Sequence, residues 1–248
     1  MRGVRISNFP DPSAAVTGQH AYSKSIKPVS TNQRKKAATI KFLFYLPETY
    51  GKDQKKKWPL ILFLHGMGER GENLGLLKKH PLPKSLEQQK DFPCIVVSPQ
   101  LQLDKKLWND MIDPIKELLD QVCAKYSVDT NRIYGTGFSM GGAGIWNFAL
   151  RYPHYFAAIV PIAGAYKFRS RQIPDTICDL KDLPIWAFHG GKDEAVKSWQ
   201  TEILAHALNA CGNIIRFTLY PDADHPQSWI QAYSDPELYT WLFQQTLK

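Results

Sequence analysis

Short apolar runs alternate along this chain with longer stretches in which apolar side chains recur every three or four positions. Residues 39–46 are rich in β-branched and aromatic side chains and stop at Pro47, which predicts a strand. Leu60, Ile61, Leu62, Phe63 and Leu64 are apolar at every position, as in a central parallel strand covered on both faces. Further runs at 94–98, 131–136, 157–162, 184–189 and 214–220 predict more strands, and 19–29 suits an edge strand. Between them lie helical patterns. Asp113 is placed to cap one, with Pro114 at its first position and Ile115, Leu118, Leu119, Val122 and Tyr126 on one face. A second covers 142–150 and stops before Pro153. A third covers 198–211 and ends at Gly212, and a last opens at Asp235 and Pro236 with Leu238, Trp241 and Leu242 turned inward. Such alternation predicts an α/β fold, a mostly parallel sheet with helices on both faces. Residues 1–18, with Pro10, Pro12 and few apolar anchors, are expected to be loose, and 19–248 to form one domain.

Composition narrows this picture only a little. With 248 residues the chain can bury a substantial core. Its net charge is +8, but Lys55, Lys56 and Lys57 fall in a polar turn and Lys35 and Lys36 before a strand. That reads as solvated surface, with no nucleic-acid partner. No apolar run is long enough for a bilayer, so no membrane partner is expected. The N-terminus carries charge without a following apolar segment, so the simplest expectation is a cytoplasmic protein, unless a leader has been removed. Cys94, Cys123, Cys178 and Cys211 form neither a C-x-x-C pair nor a zinc-type cluster. Buried free thiols are the default, one disulfide is left open, and no metal or cofactor is called for.

The chemistry gathers where strands end. Gly137-Phe138-Ser139-Met140-Gly141 links a predicted strand to a predicted helix, the pattern of a nucleophile elbow. In it the serine sits on a sharp turn, and residues two before and two after approach closely enough to favour glycine. In a parallel sheet, partners for Ser139 should follow other strands. Asp193 follows 184–189 on a glycine-rich turn and suits the acid that orients a histidine, with Glu194 as the neighbouring alternative. His225 follows the last strand, on an expected loop, and suits the general base. Their order, nucleophile then acid then base, is the α/β-hydrolase order. The loop from His65 to Gly71 has three glycines in seven residues, and the backbone N–H groups of Met67 and Met140 are the expected oxyanion donors. His65 and His189 are expected to hold the loops they begin. Gly66, Trp108 and Trp229 are candidate pocket residues, and Tyr166, Phe168 and Arg169 candidate mouth residues.

Residues 44–50, the loop 65–71, the elbow 137–142, the turn 189–193 and the segment 229–242 together resemble bacterial carboxylesterases of the α/β-hydrolase fold. The similarity is to the group called predicted peptidases, near feruloyl and acetyl-xylan esterases and polyhydroxybutyrate depolymerases. It covers roughly residue 39 to the C-terminus. It implies a serine esterase with Ser139 as nucleophile, Asp193 as acid and His225 as base, acting without cofactor on small or polysaccharide-linked esters. The chain departs from the family after His225, where Pro226, Gln227 and Ser228 lengthen the path to Trp229. Residues 162–183 are too few to encode a large helical lid. A serine peptidase or acyltransferase would use the same three residues, and a silent ligand-binding relative is the alternative of another class.

Overall fold

Every apolar run becomes a strand in the computed structural model, which describes residues 7–14, 16–26 and 38–247. The strands are β1 (Ser7–Asn8), β2 (Gly18–Ile26), β3 (Ala38–Leu46), β4 (Trp58–Leu64), β5 (Ile95–Gln100), β6 (Val128–Phe138), β7 (Ala158–Ile162), β8 (Trp186–Gly190) and β9 (Arg216–Tyr220). The helices are α1 (Pro81–Ser85), α2 (Ile112–Lys125), α3 (Met140–Arg151), α4 (Trp199–Ala210), α5 (His225–Ser234) and α6 (Pro236–Gln244). Among the described residues the strands form one nine-stranded sheet in the order β1-β2-β3-β5-β4-β6-β7-β8-β9. β3 pairs antiparallel with β2 and β5, and every pairing from β5 to β9 is parallel. This is the α/β-hydrolase fold.

The two-residue period of a strand sorts β4 between two cores. Leu60, Leu62 and Leu64 point into one with α2, α3 and α4, while Ile61 and Phe63 point into the other with α1, α5 and α6. Each such fully buried side chain contributes roughly 1.5–3 kcal/mol relative to leaving it in water. The crossover that sets β4 between β5 and β6 also fixes the site, because Leu64 is registered opposite Gly137. The loops that leave β4 and β6 therefore emerge side by side at the carboxyl edge.

Three local expectations are corrected, and one falls partly outside the described residues. Of the first eighteen residues, Ser7–Asn8 pairs with β2, and the buried Phe9 packs against Tyr22, Phe42, Phe44 and Tyr126. Residues 27–29 of the expected edge strand lie outside the described residues. Asp113 does not cap α2: a 3₁₀ turn at Trp108–Met111 runs straight into the helix, and the Asp113 carboxylate accepts from Arg151 and Tyr152 instead. Cys178 and Cys211 form a disulfide, against the default of four thiols, because packing brings the turn Ile177–Leu180 and the end of α4 within 5.3 Å, Cα to Cα. Cys94 and Cys123 stay free, and burial pushes both thiols up, Cys123 to about 11. No helix among the described residues is long and apolar enough to cross a membrane. Between β7 and β8 the chain carries a 3₁₀ turn and no helical cover.

Candidate active site

Ser139 lies between β6 and α3 with φ 56° and ψ −118°, in the region that L residues avoid. The surroundings hold it there. Its N–H donates to the Ile162 carbonyl at 2.8 Å, and its own carbonyl accepts from the Ala143 N–H at 2.9 Å. No side chain fits at the flanking glycines. A Cβ on Gly137 would stand 2.6 Å from the Gly141 backbone, and one on Gly141 would stand 1.9 Å from the Leu64 oxygen. These clashes explain why the pattern needs glycine on both sides of Ser139.

His225 Nε2 lies 2.9 Å from Ser139 Oγ, and His225 Nδ1 lies 2.6 Å from Asp193 Oδ2. Asp193 is buried, and its Oδ1 accepts the N–H groups of Ala195 and Val196 at 2.9 and 2.8 Å. Burial alone would raise this carboxyl. The contacts from His189 and His225 and the Val196 N–H outweigh burial and hold it well below the usual carboxylate range. A permanent carboxylate at Nδ1 fixes the tautomer that leaves Nε2 free to accept from Ser139. Parallel pairing of β8 with β9 places the two loops together. They are tied by Gly191 N–H to the Tyr220 carbonyl at 2.8 Å and Lys192 N–H to the Ala223 carbonyl at 3.0 Å. Glu194 is exposed and reaches Lys197 instead, so geometry separates the two acidic candidates.

His225 is not on a loop, as expected, but opens α5. Asp224 accepts from the Gln227 N–H while the Gln227 side chain accepts from the Asp224 N–H, with Pro226 in the first turn. That capping box is legible in the sequence as Asp224-x-x-Gln227 with Pro226 inside it. It starts a helix that fixes the His225 backbone. Below it, the Tyr233 hydroxyl meets Thr136 Oγ1 of β6 at 2.8 Å, so α5 is seated directly on the strand that leads to Ser139.

On the other side, Met67 opens a 3₁₀ turn (Met67–Glu69) and Met140 opens α3, so both first-turn N–H groups lack an intrahelical partner. His65 anchors the loop. Its Nε2 accepts the Leu101 N–H at 3.0 Å, its Nδ1 donates to the Gly66 carbonyl at 2.5 Å, and burial lowers the ring to about 4. Beside Met140 opens a cavity of about 350 Å³ lined by Leu107, Trp108, Ala143, Asn147, Tyr166 and Phe168, among others. Trp108 forms a wall, with its indole N–H on the His65 carbonyl at 3.0 Å. Tyr166 and Phe168 line it as expected; Arg169, Gly66 and Trp229 do not. Trp229 lies one turn beyond His225 on α5, against Phe138. His189 holds its loop, as expected, through Thr201 and the Val196 carbonyl at 2.8 Å each. Among the described residues no group of histidine, cysteine and acidic side chains could hold a metal ion.

Comparison with known proteins bears on the family and the fold. A family profile described as Phospholipase/Carboxylesterase matches residues 83–232. The bifunctional acetylxylan esterase/xylanase XynS20E of Neocallimastix patriciarum is 25% identical over 191 residues, 74% of this chain. The chain spans 26% of that relative's length. A thermostable esterase of known structure is 27% identical, superposes with a TM-score of 0.72, and is matched over 90% of this chain and 62% of its own. A ferulic acid esterase superposes with a TM-score of 0.66 over 92% of this chain and 98% of its own, and at 17% identity it speaks to the fold alone.

Proposed function

We propose that this chain, which belongs to the phospholipase/carboxylesterase family, is a serine ester hydrolase that works through an acyl-enzyme on Ser139. The observation that carries the reading is the continuous chain from Ser139 Oγ to His225 Nε2 at 2.9 Å and from His225 Nδ1 to Asp193 Oδ2 at 2.6 Å. Ser139 Oγ attacks the ester carbonyl carbon while its proton passes to His225 Nε2. Asp193 stabilises the imidazolium through Nδ1–H. The carbonyl oxygen, now an oxyanion, accepts the N–H groups of Met140 and Met67. Collapse breaks the C–O bond to the alcohol, which leaves with the proton from His225. A water molecule then gives its proton to His225 and its oxygen to the acyl carbon, the acid departs, and Ser139 recovers its proton. No step needs a cofactor.

The cavity beside Met140 would take the acyl group, and its volume of about 350 Å³ suits chains from acetyl to an aromatic acid such as feruloyl. The absence of helical cover between β7 and β8 suits an ester attached to a polymer. Acetylxylan, named for a similar protein, supports a polysaccharide-linked ester as substrate. The test is a panel of p-nitrophenyl esters of increasing acyl length, methyl ferulate and acetylated xylan, with p-nitroanilide peptides as the peptidase arm. Ester turnover is expected to dominate, and Ser139→Ala should lower kcat on the order of 10⁶-fold with unchanged folding. Turnover that survives Ser139→Ala, or faster cleavage of the peptides, overturns the reading.

A further inference from the structure

A titratable pair, the buried His80 and the half-buried Glu69, lies behind the site and has no part in the proton relay. Glu69 ends the turn that presents the Met67 N–H, and its carboxylate folds back over Gly66. Oε2 stands 3.3 Å from the place of a Cβ on that glycine and 2.9 Å from His80 Nε2. His80 is only 2% exposed and is boxed by Trp229, Phe63 and Phe138, with ring centroids at 4.5, 5.4 and 6.0 Å. Two of those rings belong to the site's support. Phe138 precedes Ser139 and packs on the His225 ring at 4.6 Å, and Trp229 packs on Phe138 at 5.4 Å. The approach of Glu69 to His80 is an ion-pair distance without hydrogen-bond directionality, and neither ring nitrogen has a hydrogen-bond partner among the described residues. Burial raises the Glu69 carboxyl, but the contact with His80 outweighs it and holds the group below its ordinary value.

Packing alone gives little reason for this arrangement. A buried imidazole and a half-buried carboxylate lose hydration, and an apolar residue in place of His80 would fill the aromatic box at least as well. The loop is already tied on its far side, where Gln100 Nε2 donates to the Glu69 and Asn73 carbonyls at 2.7 and 2.9 Å. His65 Nδ1 holds the Gly66 carbonyl and Arg70 Nε the Met67 carbonyl at 3.2 Å, and Glu69 to His80 adds the tie toward the aromatic box beneath the elbow. Resting on the esterase reading above, we propose that Glu69 and His80 are a positioning pair that holds the Gly66–Met67 backbone in register with the elbow, so that the Met67 N–H meets the oxyanion.

Displacement of an aligned donor by even 1 Å costs up to about 10²-fold in rate. Glu69→Gln, nearly isosteric, should therefore lower kcat by about 10–100-fold with KM within about twofold. The affinity of a trifluoromethyl ketone analogue of the tetrahedral intermediate should fall in the same proportion. His80→Gln, which keeps a donor near Nε2, should retain more kcat than His80→Leu. Amide hydrogen exchange across residues 66–71 should quicken at least about tenfold in Glu69→Gln, with the rest of the sheet unchanged. Wild-type kcat and exchange in Glu69→Gln overturn the proposal, as does a kcat loss explained by a lower folded fraction. If the wild type cleaves no ester and Ser139 resists a fluorophosphonate, the esterase reading fails by itself, and the exchange measurement still decides whether the pair holds the loop.

Discussion

At the scale of single residues, surroundings set what each acidic or basic group can do. Asp193 is buried with two backbone N–H groups on one oxygen and His225 on the other, while the next residue, Glu194, reaches Lys197 in solvent. Asp193→Asn is expected to lower kcat/KM by roughly 10³–10⁴-fold through loss of the correct tautomer, and Glu194→Gln to stay near wild type. Steady-state kinetics on a p-nitrophenyl ester decide it, and the reverse ranking would assign the acid to Glu194. His65 makes a different prediction. Burial lowers the ring to about 4, and its Nε2 already accepts the Leu101 N–H. In the unfolded chain the same ring titrates near 6.5. Between those values the unfolded state binds more protons, so stability is full above about 6.5 and falls as pH drops toward 4, by roughly 3 kcal/mol. Asp193 adds a separate loss at lower pH: its depressed carboxyl stabilises above the unfolded value of about 3.9 and ceases to as pH falls through the folded one. Urea unfolding of wild type and His65→Gln from pH 7.5 to 4.5 tests the first window. The difference between them should shrink as pH falls, and a constant difference would refute it.

At the scale of elements, the turn from β6 to α3 is the tightest junction in the site. A methyl on Gly141 would stand 1.9 Å from the Leu64 oxygen, a backbone atom fixed in the pairing of β4 with β6. Gly141→Ala should cost about 3 kcal/mol or more, or abolish folding, because neither strand can yield. Far milder destabilisation in a denaturant titration would mean that β4 and β6 can separate there. This junction was legible in the sequence because everything that makes it is local: a β-rich run, glycines spaced around Ser139, and an apolar helix. The all-apolar run 60–64 foretold its place on both cores for the same reason. What was not legible depends on contacts between distant segments. The start of α5 at His225 is an exception, since the capping box of Asp224 and Gln227 with Pro226 in the first turn is a local signal. Glu69 and His80 lie eleven positions apart in no local motif, and their approach shows only once the chain between them has folded back. Trp229 was expected in the pocket and instead supports the base from behind, since helix α5 turns it toward His80 and Phe138.

At the scale of the whole molecule, the disulfide joins segments that the fold keeps away from the chemistry. α4 leaves the carboxyl edge after Asp193 and runs back before β9 begins, so Cys211 at its end lies toward the amino edge of the sheet. There it meets Cys178, across a separation of 33 residues. Asn213 pins the same corner, donating to the Leu180 and Leu183 carbonyls at 2.7 and 2.8 Å, so native packing does not rest on the bridge alone. The bridge acts chiefly on the unfolded chain, where closing a loop of that length is worth about 3–4 kcal/mol. For a chain of this size that corresponds to a fall in Tm on the order of 10 °C when it is removed. The double variant Cys178→Ser/Cys211→Ser should show that fall while keeping kcat/KM within about twofold of wild type at 25 °C. Thiol titration in denaturant should find two of the four cysteines reactive before reduction and all four after it. Four reactive thiols in freshly purified, unreduced protein would show that the bridge does not form. In a reducing cytoplasm Cys178 and Cys211 stay thiols, and the protein then has only the stability of the reduced form. A drop in kcat/KM that follows reduction of the wild type at constant folded fraction would show instead that the corner communicates with Asp193 through α4.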